Sequence, residues 1–198
     1  SIGVIAFAGE PVVVCPLTTD IGAAKQLLRA LDPSAVQVPG TGIGKAIRRA
    51  TQSLSRYPGA KTLILLTDGE DHRTDPAGAA EEAAAEGIKI FAIGIGNPEG
   101  EPIPLKDENG AMTGYKKDKK GATVVSKLGE ADLAAIAEKT GGGYYRATPG
   151  AAEASEIARR ASSAESGDDP TTRGAARRFK NHFLLPLALA FVLLLIEG

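Results

Sequence analysis

Apolar positions along the first four-fifths of the chain alternate between short runs and helical spacings. Ile2–Phe7 (IGVIAF) is a branched, apolar run that predicts a buried strand. Ala8-Gly9-Glu10 is a short turn, and Pro11–Cys15, with Val12, Val13 and Val14, predicts a second strand. Proline at its start suits an edge strand, and the tight link suits a hairpin. Asp20 stands where an N-cap belongs, ahead of Ile21, Ala24, Leu27, Leu28 and Leu31 at helical spacing. Asp32-Pro33 stops that helix. A second helix carries Ile43, Ile47, Ala50 and Leu54 on one face, with Lys45, Arg48 and Arg49 off it, and ends at Pro58-Gly59. Thr62–Thr67 (TLILLT) is a continuous apolar strand running into the polar cluster Asp68-Gly69-Glu70-Asp71-His72.

Asp75-Pro76 reads as an N-cap followed by proline at the first helical position, and Gly87 suits the C′ position of the Ala/Glu helix between them. Ile88–Ile95 is another buried strand. Strand, helix and strand joined by short links predict a parallel sheet with helices on both faces and right-handed crossovers. Residues 97–126 break this rhythm: turn clusters at Asp107-Glu108-Asn109-Gly110 and Asp118-Lys119-Lys120-Gly121 separate short β-prone pieces, which predicts an inserted β-meander. A helix follows over Glu130–Thr140, with Leu133, Ile136 and Ala137 inward and Gly141 as its stop. Then come a short strand over Gly143–Thr148 and an amphipathic helix over Ala151–Ser163.

The predicted organisation is a domain over 1–163, a polar and then basic linker over 164–181, and an apolar segment over 182–198. Within that segment Phe183–Ile196 is fourteen residues without a charge. As a helix it would span about 21 Å, short of the roughly 30 Å hydrocarbon core. A run this short can be a core helix, but one apolar all round leaves no face for solvent. It therefore predicts a transmembrane helix cut short at its carboxyl end, in which Pro186 is tolerable. Arg173, Arg177, Arg178 and Lys180 flank it.

Composition sharpens this picture in three places. A net charge of −1 over 198 residues excludes a whole-domain basic field for nucleic acid. One cysteine excludes an internal disulfide framework and a cysteine-based zinc site, and Cys15, with no basic neighbour, reads as a small apolar filler. His72 and His182 are the only histidines, they form no metal or catalytic set, and His72 is expected to be exposed.

Two motifs bear on chemistry. Gly40-Thr41-Gly42-Ile43-Gly44-Lys45 resembles a phosphate loop but has one residue too few before its Gly-Lys pair, and Ala46 stands where a Ser or Thr should hold magnesium. Its G-x-G-x-G spacing also fails the dinucleotide fingerprint. Thr67-Asp68-Gly69-Glu70-Asp71 lies at the carboxyl end of a buried strand, where open α/β sheets bind ligands. Its carboxylates suit a hard divalent cation, and the same residues equally suit a solvated turn. No G-x-S-x-G elbow or ordered Ser-His-Asp set is present.

Together, IGVIAF, Pro16-Leu17-Thr18, Gly40–Gly44, LLTDGE (65–70), GIKIFAIGIG (87–96) and IAEKTGGGYY (136–145) resemble a von Willebrand factor A domain. The resemblance covers residues 1 to about 163. Within that class the inserted segment and the apolar terminus look like the membrane-anchored bacterial aerotolerance (Bat) subgroup. The resemblance implies an α/β, Rossmann-like, mostly parallel sheet flanked by helices. It also implies a metal-ion-dependent adhesion site built from an Asp-x-Ser-x-Ser loop, a Thr and an Asp. Thr41 matches that Thr and Asp68 matches that Asp. The Asp-x-Ser-x-Ser loop has no match, which implies a chain truncated at its amino end, lacking the first, central strand and its loop.

On this resemblance the expected cofactor is Mg2+, or Mn2+ or Ca2+, in a site compromised by the missing loop. Glu70 and Asp71 are expected to shape the local field rather than to ligate. The implied function is a membrane-anchored, metal-dependent protein-binding module and not an enzyme. The alternative is a magnesium-assisted hydrolase or phosphoryl-transfer domain using Asp68. The implied partners are a protein offering an acidic side chain to the metal, a MoxR-type AAA+ ATPase with sister proteins of the same class, and membrane lipid. The implied location is the bacterial inner membrane, with the domain on the extracytoplasmic side, although Arg173–Lys180 by themselves favour the cytoplasmic side for that flank.

Overall fold

The structure is a computed structural model that describes residues 1–167 apart from 33, 34, 37, 72, 108–110 and 118–120. The chain divides into two compact units, Ser1–Ser162 and Ser163–Gly198. The described part of the second is the end of one helix. Of the expected linker over 164–181, residues 164–167 continue the last helix, Ala152–Gly167, past its expected end at Ser163; the rest of it, the expected transmembrane helix over 182–198 and His72 lie outside the described residues. No described helix is long and apolar enough to cross a membrane.

β1 (Ile2–Phe7) and β2 (Pro11–Thr18) form the predicted antiparallel hairpin, with Phe7 opposite Pro11 and Ala6 opposite Val12. β2 runs three residues further than expected. The ladder passes from Val4–Cys15 to Ile2–Thr18 through a register shift. The extra residue falls beside Pro16, which has no N–H to give and is tolerated at a bulge. Cys15 is buried in this strand, as a small filler would be. α1 (Ile21–Arg29) starts at Asp20, whose Oδ1 accepts from the Ala23 amide at 2.9 Å. Its predicted inward stripe is not realised. Ala24 is buried, while Ile21, Leu27 and Leu28 stay exposed, because the two-stranded sheet is too narrow to cover them.

The second sheet is parallel, in the order β3 (Lys61–Thr67), β4 (Ile88–Gly94), β9 (Gly143–Arg146). Leu63 pairs with Ile90 and Leu65 with Ala92, so these four share a face. That face packs on α2 (Ile43–Leu54), α3 (Pro76–Ala85) and α4 (Glu130–Lys139) through Ile43, Ile47, Ala79, Ala83, Leu133 and Ile136. On the other face Phe91 and Ile93 are covered by Ile157 of α5 (Ala152–Gly167). Their β3 partners, Ile64 and Leu66, are 48% and 54% exposed. Coverage on both faces, expected for this apolar strand, therefore holds for β4 but not for β3.

β1 pairs with β2 and β3 with β4, so among the described strands each keeps one unpaired edge. The insertion contains β5 (Glu101–Pro102), β6 (Pro104–Lys106), β7 (Met112–Tyr115) and β8 (Val125–Ser126). It is β-structured but not a meander. β6 pairs with its neighbour β7, whereas β5 pairs with β8. Ile103 is the switch point: its amide donates to Val124 O at 3.2 Å, and its carbonyl accepts from the Lys116 amide at 2.9 Å. An isolated antiparallel bridge pairs Lys117 with Thr123, between β7 and β8.

Candidate metal site

β3 delivers Asp68 to the carboxyl end of the parallel sheet. The buried Thr67 continues the ladder through its carbonyl, which accepts from the Ile95 amide at 2.9 Å, and its Oγ1 takes the Gly69 amide at 3.2 Å. Gly69 has φ +82°, so the chain turns sharply directly after Asp68. Asp68 is half-buried. Its Oδ1 accepts from the Glu70 amide and its Oδ2 from the Ser126 hydroxyl, each at 3.4 Å, near the limit of a hydrogen bond.

Thr41 is half-buried in the loop that opens α2. Gly42 is the N-cap, with no side-chain cap of its own, and its amide donates to Ala8 O at 2.6 Å. A Cβ on Gly42 would lie 2.9 Å from Gly9 O, and one on Gly44 would lie 2.0 Å from Thr74 O. The G-x-G-x-G spacing thus lets α2's first turn lie against two backbone segments, a mechanical reason that needs no phosphate.

The Asp68 loop is held from two sides. On the α2 side stands Asp71, which is 8% exposed. Its Oδ1 accepts from the amides of Arg73 at 3.0 Å and Thr74 at 3.1 Å. Its Oδ2 accepts from the Gly44 amide at 3.2 Å and from the Thr74 hydroxyl. Burial alone would push this carboxyl up, but the Thr74 hydroxyl and the three amides outweigh it and hold the carboxyl below its ordinary value. On the other side stands the end of the insertion. The Lys127 amide donates to Glu70 Oε1 at 2.8 Å and the Gly129 amide to Asp68 O at 2.9 Å. Ser126 and Lys127 were not foreseeable. They lie 58 and 57 positions from their partners, and no local pattern marks them.

Thr41 and Asp68 offer a hydroxyl and one carboxylate, a donor set suited to magnesium, which takes one or two carboxylates and keeps several waters. The two aspartates differ in the capacity left to them. Asp71 is saturated by four donors, whereas Asp68 meets two long ones. Asp68 therefore fits a cation and Asp71 does not. Among the described residues no group of three or more His, Cys, Asp or Glu side chains converges to hold a metal.

Residues 1–109 match the von Willebrand factor type A domain family, and the chain belongs to that family. The structure is similar to that of an aerotolerance-related membrane protein from Bacteroides fragilis, with 31% identity, a TM-score of 0.74, and coverage of 81% of this chain and 78% of that one. It is also similar to the conserved hypothetical protein BatB from Bacteroides thetaiotaomicron, with 35% identity, a TM-score of 0.72 and the same coverages. Among curated relatives, an uncharacterized protein of Borreliella burgdorferi is 30% identical over 150 residues, which cover 73% of this chain and 41% of that protein. The chain spans about two-fifths of the length of the curated relatives it matches, 38% and 41%.

Proposed function

We propose that this chain is a protein-interaction module of a membrane-anchored protein, using a divalent cation held in part by Thr41 and Asp68. The observation that carries this reading is the contrast between Asp68 and Asp71: the carboxylate at the sheet's carboxyl end is left with free lone pairs, while its neighbour is consumed by the fold. A cation there would leave a coordination position for an acidic side chain of a partner. On this proposal Thr41 and Asp68 supply only part of the shell, and the Asp-x-Ser-x-Ser loop that the resemblance implies would supply the rest. The similarity to an aerotolerance-related membrane protein supports a membrane setting; the apolar run Phe183–Ile196 is the segment we propose as its anchor. As partners we propose a MoxR-type ATPase and sister proteins, which the sequence resemblance implies.

Calorimetric titration of Mg2+ and Mn2+ into the full-length protein tests this reading. The wild type is expected to bind, and Asp68→Ala and Thr41→Ala to bind at least tenfold more weakly. Equal affinity in Asp68→Ala removes Asp68 from the site. Metal-dependent phosphatase turnover, lost in Asp68→Ala, would favour the hydrolase alternative instead.

A further inference from the structure

The link between the two proposed ligand loops is not made by the ligands. Gly44 lies three residues after Thr41, Asp71 lies three residues after Asp68, and the Gly44 amide donates to Asp71 Oδ2 at 3.2 Å and to Thr74 Oγ1 at 2.9 Å. We propose that Asp71 is the positioning residue of the site: without touching the cation, its carboxylate locks the Thr41 loop onto the Asp68 loop. This rests on the metal-binding reading above.

Three observations carry it. First, the Gly44 amide is one of the orphan donors at the start of α2, whose own N-cap offers no side chain. Asp71 and Thr74 therefore cap this helix from another segment, and a carboxylate is favoured there by the helix dipole. Second, the approach leaves no slack. A Cβ at Gly44 would sit 2.0 Å from Thr74 O, and Arg48 Nη1 donates to that same carbonyl at 2.9 Å. Third, three residues of chain reach at most about 11 Å, so the Gly44–Asp71 contact limits how far either Thr41 or Asp68 can stray from it. Groups that orient metal ligands in this way typically cost about 10–100-fold in metal affinity when removed.

The test uses the full-length protein, with Mn2+ as the probe read by its free-ion paramagnetic signal. Thermal stability without metal and hydrogen exchange at the Gly44 amide are measured in parallel. Asp71→Ala is expected to weaken Mn2+ binding at least tenfold at temperatures where it remains folded, and to speed exchange at Gly44. Thr74→Val, which removes one arm of the bracket, is expected to do both to a smaller degree, and Asp71→Asn, which keeps one acceptor, to fall between wild type and Asp71→Ala. Should Asp71→Ala fail to fold, Thr74→Val carries the test. Wild-type Mn2+ affinity in Asp71→Ala and Thr74→Val, with affinity lost in Asp68→Ala, overturns the positioning role alone. Wild-type affinity in Asp68→Ala overturns the metal reading and this role with it. Unchanged Gly44 exchange in Asp71→Ala overturns the bracket whatever the metal does.

Discussion

Gly44 is the residue through which α2 meets the loop after β3, and its missing side chain is the reason they can meet. Gly44→Ala would drive a Cβ into Thr74 O, a backbone atom that cannot swing aside. It is expected to cost about 1–3 kcal/mol, the usual range for overpacking, measured by denaturant unfolding of the full-length protein. A second residue-scale consequence concerns Tyr144, whose hydroxyl donates to Glu130 Oε1 at 2.8 Å beside the Arg146–Glu130 ion pair. Burial, and then the Glu130 hydrogen bond, push this phenol up from 10.0 to about 12. A folded pKa above the unfolded one means that the contribution to stability is complete below about pH 10 and is lost as pH rises towards about 12. The melting temperature of the wild type should fall through that window more steeply than that of Tyr144→Phe. Parallel slopes would show that folding does not raise the Tyr144 phenol. At this scale the sequence was uneven as a guide. Thr41 and Asp68 are candidates only through the family resemblance of their loops, since their own segments suit a solvated turn equally well. Asp71 could be recognised as a carboxylate near them but not as a bracket, since its partner Gly44 is 27 positions away.

Helix boundaries were the most legible elements, because their signals are local. Asp75 caps α3 through its Oδ1, which accepts from Gly78 at 3.1 Å, and Gly87 and Gly141 take positive φ just beyond the ends of α3 and α4. Asp75→Ala should cost about 0.5–2 kcal/mol for the lost cap, with a further small loss from its contact with Arg48 at 3.3 Å. α4 also supports the site. Leu133 is fully buried, and its side chain lies against Gly69, directly after Asp68. Leu133→Ala is expected to cost about 2–5 kcal/mol, again read by denaturant unfolding. The insertion was legible as β-structure but not in its pairing. Two-residue strands such as β5 and β8 are set by long-range partners, and a meander is only the simplest way to join them.

For the molecule as a whole, the α/β class followed from the repeated alternation of run and helix. The division into a two-stranded and a three-stranded sheet did not, because strand order is a matter of long-range pairing. The free edges of β1 and β3, with Ile64 and Leu66 open beside them, are a template for pairing with other chains. The 198-residue chain alone is therefore expected to sediment as concentration-dependent oligomers, and Leu66→Lys to reduce them. A monomer that unfolds cooperatively would contradict this. The central claim is that Thr41 and Asp68 hold a cation, and anomalous scattering from a Mn2+-soaked crystal of the full-length protein tests it most directly. The account predicts a manganese peak at about 2.1 Å from the Asp68 carboxylate, a typical hard-cation distance, with Thr41 in its shell directly or through water. A peak bound elsewhere, or none at saturating Mn2+, would contradict it.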